Sequence, residues 1–144
     1  MADASGLRRA VQDRAERRFT GAVQVMVDAV SEDAPRDSGV LKSSIGEAGR
    51  STAGTRLSTQ LVVPVEYASW QDEGTGIYGP KGTPIRAKGG GVLAWEVTGR
   101  RAAGAAQTAS GMVFARSVRG APATKFWSRN VTPDGWRAAL LDGQ

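Results

Sequence analysis

Neither cysteine nor histidine occurs among the 144 residues. Without cysteine there is no disulfide framework, no thiolate nucleophile and no thiolate metal ligand. Without histidine the commonest general base and the commonest metal ligand are both missing. Ser-His-Asp and Cys-His catalytic arrangements are thereby excluded. Long apolar runs are lacking too, and none approaches the ~20 residues of a membrane span. The N-terminus is polar and has no signal-peptide core. These features predict a soluble, cofactor-free protein made and used in a cytoplasm, with no membrane partner.

Acidic residues are scarce in one region. Residues 1–50 hold eight basic and eight acidic side chains, which cancel. Residues 81–129 hold nine basic side chains (Lys81, Arg86, Lys88, Arg100, Arg101, Arg116, Arg119, Lys125 and Arg129) against Glu96 alone. The formal net charge of +5 is therefore local. A one-signed patch implies a polyanion or an acidic protein as neighbour.

What is present suits one domain over residues 1–144, with 40% hydrophobic residues to build a core. Leu7, Val11, Ala15, Phe19, Ala22, Val23, Met26, Val27 and Val30 recur at spacings of three and four. They predict an amphipathic helix over 5–31, with Ser5 as N-cap and arginines opposite. Asp37 or Ser38 is placed to cap a short helix that buries Val40, Leu41 and Ile45. Residues 46–54 are small and polar and read as a turn or exposed loop.

Alternation over 55–65 predicts a half-buried strand with Leu57, Thr59, Leu61 and Val63 on one face. Residues 66–73 fit a short helix with Tyr67 and Trp70 on one face, ended by Gly74-Thr75-Gly76. The stretch 74–91, rich in glycine and holding Pro80 and Pro84, reads as a long loop with brief strand contacts near Ile85 to Ala87. Residues 92–98 and 111–118 read as strands, joined by a loose hairpin tip at about 99–110. A helix over 122–131 would bury Phe126, Trp127 and Val131. Thr132 and Pro133 start a last helix, which Trp136, Leu140 and Leu141 complete. The fold class is α+β: a long N-terminal helix and a C-terminal helix packed on a small antiparallel sheet, with a long Gly-rich loop.

Three patterns invite a chemical reading. Gly74-Thr75-Gly76-Ile77-Tyr78-Gly79 matches G-x-G-x-x-G, but that motif needs a strand before it and a helix after it. Here a helix-like segment precedes and Pro80 follows, so a loop is the better reading. Glu66, Asp72 and Glu73 form an acidic group, which serves hydrolysis or divalent metals only with further ligands. Surface or interface charges are the better reading. The basic stretch interleaves Phe114, Phe126 and Trp127, as nucleic-acid binding would need. Those aromatics also fit a strand and a helix core, and a solvated or subunit-facing basic surface is favoured.

Three ordered segments carry a resemblance. Ala34-Pro35-Arg36-Asp37-Ser38-Gly39-Val40-Leu41-Lys42-Ser43-Ser44-Ile45 is similar to a signature A-P-x-D-[ST]-G-x-L-x-x-S-I. Tyr67-Ala68-Ser69-Trp70-Gln71-Asp72-Glu73-Gly74-Thr75 resembles a looser Y-A-x-x-x-E-x-G-T. Pro122-Ala123-Thr124-Lys125-Phe126-Trp127 resembles a closing P-F-[LI] stretch, with Lys125 where that pattern has proline. In this order and spacing, over residues 7 to 141, they resemble the neck or tail-completion proteins of long-tailed bacteriophages.

The resemblance implies a structural virion protein of the head-to-tail region and no enzyme. It implies assembly in the host cytoplasm into a homo-oligomeric ring, expected to be hexameric, which joins or completes the tail and lets DNA pass. Its neighbours would be head-closure and tail-terminator or tail-tube proteins, with transient contact to DNA. On this reading the inter-subunit loop and its base comprise Tyr67, Trp70, Glu73, Gly74, Thr75, Tyr78, Lys81, Arg86 and Lys88. Arg100, Arg101, Arg116 and Arg119 would face DNA or a protein partner. Tyr67 and Trp70 would pack under the loop, and Gly74 would permit its sharp exit. A DNA-binding accessory protein using residues 81–129 is the alternative, and a metal-dependent hydrolase the third reading.

Overall fold

The structure, a computed structural model, describes residues 3–36, 39–96, 106–107 and 111–142. In chain order the elements are α1 (Ala4–Asp33), α2 (Val40–Ser44), β1 (Gly46–Ala53), β2 (Arg56–Val62), α3 (Ala68–Glu73), β3 (Ile85–Arg86), β4 (Leu93–Glu96), β5 (Ala106–Gln107), β6 (Met112–Ala115), β7 (Ser117–Val118) and α4 (Pro133–Asp142). The class is α+β. The strands are shared among three small antiparallel sheets, β1-β2, β3-β7 and β4-β6-β5. The chain divides into two compact units, Met1–Ala68 with Thr124–Gln144, and Ser69–Ala123.

The first unit is organised by α1. Its N-cap is Asp3, not Ser5: the Asp3 carboxylate accepts from the Ser5 amide at 3.2 Å and from the Ser5 hydroxyl. Aspartate caps as well as serine does, and here it sits two residues earlier. These bonds, the hydroxyl's first, hold the Asp3 carboxyl below its ordinary pKa. At the far end, Asp33 accepts from the Asn130 side-chain amide at 2.8 Å and lies 3.5 Å from the Arg129 guanidinium.

The C-terminal half of α1 supplies the core. Val30 packs with Ala34, Leu41, Ile45 and Phe126. Ala22 and Met26 pack with Ala139 of α4, flanked by Leu61, Val131 and Trp136. The helical period puts Ala22, Met26 and Val30 on one stripe, so a single face serves both clusters. The same stripe continues toward the N-terminus, where it is uncovered: Leu7 is 63% and Val11 62% exposed. Only part of the predicted apolar face is thus core.

Several local expectations are corrected in this unit. Residues 46–53 form a strand, not a loop: β1 pairs with β2 from Gly46↔Val62 to Ala53↔Arg56. Its side chains are mostly exposed, so no alternation marked it, and the backbone ladder carries it. In α2, Leu41 and Ile45 are buried as expected, but Val40 is 50% exposed. The cap position there is Gly39, while Asp37 and Ser38 lie outside the described residues.

Residues 122–131 do not form a helix. Lys125 takes a left-handed backbone (φ 55°), which breaks a helix at that point. After Phe126 the chain makes a turn, closed by Val131 N–H donating to the Trp127 carbonyl at 2.9 Å. Phe126 is nonetheless buried, with Trp127 and Val131 packed beside the core. In α4, Thr132 caps as expected, its hydroxyl accepting from the Gly135 amide at 3.0 Å. Ala139 is buried with Trp136 packed beside it, while Leu140 and Leu141 are exposed.

Besides Leu61, the Arg50 side chain ties the hairpin to α1. The register shifts between Ala48 and Ser51, so Gly49 and Arg50 together oppose Thr59. Arg50 donates twice to the Glu47 carboxylate, at 2.7 and 2.8 Å, and once to the Thr20 hydroxyl at 2.8 Å. Its guanidinium lies 5.8 Å from the centre of the Phe19 ring.

The second unit is built from short pieces. β4 and β6 pair from Leu93↔Ala115 to Glu96↔Met112. β3 pairs with β7 through Ile85↔Val118 and Arg86↔Ser117, matching the brief strand contacts expected there. The predicted strand 111–118 is split at Arg116, because β6 and β7 join different sheets. Of the expected hairpin tip, only the backbone of Ala106–Gln107 is described, as β5 paired with β6.

Candidate assembly surface

The base of the Gly-rich segment is a crossing of two stretches of chain within the second unit. The Thr75 amide donates to the Ala121 carbonyl at 2.8 Å, and the Ile77 amide to the Arg119 carbonyl at 2.8 Å. The Thr75 hydroxyl accepts from the Ala121 amide at 2.9 Å. Gly74 ends α3 with φ +81°, and a Cβ there would stand 2.8 Å from the Ala123 nitrogen. Only glycine fits that exit without strain, as expected from the sequence. Beyond it, Gly76 and Gly120 approach so closely that a Cβ on either would strike the backbone of the other's stretch.

Residues 75–91, expected to be an irregular loop, carry more local structure than that. A single 3-10 turn occupies Gly76–Tyr78, a tight turn with left-handed Gly89 and Gly90 occupies Lys88–Gly90, and β3 lies between them. A turn closed by Gly82 N–H to the Gly79 carbonyl at 3.0 Å holds Lys81 near its tip. Arg119 lies over the Tyr78 ring, 5.9 Å from its centre. The crossing thus brings together Thr75, Tyr78 and Arg119, residues far apart in sequence. Lys81, Arg86, Lys88, Arg116 and Arg119 are all at least partly exposed. The carboxylates that hold Arg50, Arg129 and Arg137 are Glu47, Asp33 and Asp134, all in the first unit. Arg100 and Arg101 lie outside the described residues.

Tyr67 and Trp70 do not pack together under the loop. Tyr67 packs against the Val30–Phe126 cluster of the first unit. Trp70 is 60% exposed. A three-residue spacing permits a shared face but does not supply neighbours to cover both rings.

The G-x-G-x-x-G match comes after a helix and runs into a 3-10 turn, so it lacks the strand-to-helix geometry of a dinucleotide site. Among the described residues no three acidic side chains gather as a cation site, and no helix is long and apolar enough to cross a membrane.

No protein-family profile, curated protein or solved structure matches the chain with significant similarity.

One surface feature was not anticipated from the sequence. Leu7, Val11, Ala15 and Leu57 line an open groove of about 720 Å³ beside the N-terminal half of α1, with Gly54 and Thr55 at its end. Arg14, Arg18, Phe19 and Leu140 continue it. A signal was available: α1 has 30 residues, roughly 45 Å at 1.5 Å per residue, longer than the predicted short elements could cover.

Proposed function

We propose that this chain is a structural subunit of a long-tailed phage particle. It works in the head-to-tail region, as one member of a homo-oligomeric ring that completes the tail and lets DNA pass. The observation that carries the reading is the composition of the second unit. Val113 is its one buried hydrophobic side chain among the described residues, while Trp70, Tyr78, Ile85, Val92 and Phe114 are exposed. Apolar surface of that extent is what a contact between subunits would cover. The three ordered signature segments supply the virion context. Two of them end at Ile45 and Thr75, next to the hairpin and the crossing that organise the two units.

The test is deletion of residues 78–90 in the phage genome that encodes the chain. The variant should fold, because the crossing at residues 75–77 and 119–121 is retained, yet particles should fail to complete. Infectious particles at normal yield from that variant would sink the assembly role of the segment.

The exposed basic residues of the second unit favour a second reading, a DNA-binding accessory protein. It requires binding to arbitrary DNA with a steep salt dependence at physiological ionic strength. Binding that is weak and flat with salt argues for a protein neighbour.

A further inference from the structure

We infer that the groove beside the N-terminal half of α1 receives α3 of a second copy of this chain, with Trp70 of that copy as the buried anchor. The inference rests on the assembly reading above and names the two surfaces that meet.

The groove has an apolar floor of Leu7, Val11 and Leu57. Its walls carry Arg8 and Arg14, neither of which forms an ion pair with a described residue. It therefore fits an apolar side chain with a carboxylate beside it. The chain carries such a pair on a helix. Trp70 is 60% exposed, and Glu73, also exposed, lies three residues on, so both project from one side of α3. Tryptophan is among the residues, with tyrosine and arginine, in which the dominant anchors of interfaces are enriched. The Glu73 carboxylate would meet the groove's arginines and fix the direction of docking.

Charge decides which second-copy surface enters. Groove against groove would set Arg8, Arg14 and Arg18 of each copy against their own counterparts. Groove against α3 pairs opposite charges and covers both exposed apolar surfaces. Such a contact is head-to-tail: each copy offers one groove and one α3, so the association propagates and closes into a ring if the rotation permits.

The experiment uses the full chain in sedimentation velocity, with circular dichroism to confirm folding. Val11 and Trp70 are both more than half exposed, so Val11→Asp and Trp70→Ala should leave the fold intact. Each should weaken self-association about tenfold or more. A mixture of the two keeps one good groove and one good α3, so it should form a one-to-one pair and stop there. Glu73→Arg should weaken assembly, and adding Arg8→Glu and Arg14→Glu to it should recover part of the loss.

A wild-type chain that stays monomeric at every concentration overturns the inference, as does a mixture that never pairs. If wild type and both single variants assemble alike, this docking is wrong while assembly itself stands. The assembly reading fails separately, through particles that complete without the chain.

Discussion

Gly76 and Gly120 cross back to back, each where a Cβ would run into the other's backbone: the Arg119 carbonyl for Gly76, the Thr75 carbonyl for Gly120. Both have positive φ, 63° and 87°. The two glycines let the Thr75–Ile77 and Arg119–Ala121 stretches hydrogen bond at a separation that other residues forbid. That crossing fixes where the Gly-rich segment begins, against the stretch that follows β7.

Gly76→Ala should therefore open the crossing. The left-handed backbone alone costs roughly 1–3 kcal/mol for a residue with a side chain, and the collision adds to it. Hydrogen exchange should show the Thr75 and Ile77 amides losing protection while the core of the first unit keeps its own. Unchanged protection at both amides would show that the crossing is not held by these contacts.

The two halves of α1 should respond to mutation in opposite ways. Met26 is 2% exposed against Ala22 and Ala139, so Met26→Ala should cost about 2–5 kcal/mol in urea unfolding. Val11→Asp, on the exposed stretch of the same stripe, should change monomer stability by less than about 0.5 kcal/mol. Equal losses at the two positions would mean that the N-terminal half is covered within the monomer.

Acid should loosen the hairpin through Glu47. Hydrogen bonds from the Arg50 guanidinium, and then from the Thr59 hydroxyl, hold its carboxyl below the ordinary range. A depressed carboxyl stabilises the fold above its unfolded value of about 4.3, and the contribution vanishes as pH falls through the lowered value. Glu47→Gln should give a small loss at neutral pH, of the size that partly exposed ion pairs give. It should also flatten the stability curve below about pH 4.5 relative to wild type. An acid limb of unchanged steepness would show that the brace contributes nothing.

Much of this fold was legible because period and punctuation are local. The α1 stripe, the alternation of Leu57 and Leu61, the cap at Thr132 and the exit at Gly74 each arise from residues within a few positions. The features that stayed hidden are set at long range. β1 has almost no apolar face to announce it, and it exists because β2 offers a ladder. Phe126 was recognisable as core, but the left-handed Lys125 that turns its segment away from a helix was not. In the candidate surface, the basic residues and the glycines could be read directly. The apposition of Tyr78 with Arg119, and the separate fates of Tyr67 and Trp70, depend on packing that no short window contains.

The central claim is that this chain is a structural subunit needed to complete a tailed particle. Negative-stain electron microscopy of particles made with and without the chain tests it most directly. The account predicts filled heads and separate tails in its absence, and rings in the purified protein. Normally joined, infectious particles formed without it, from a purified chain that never rings, would contradict the account.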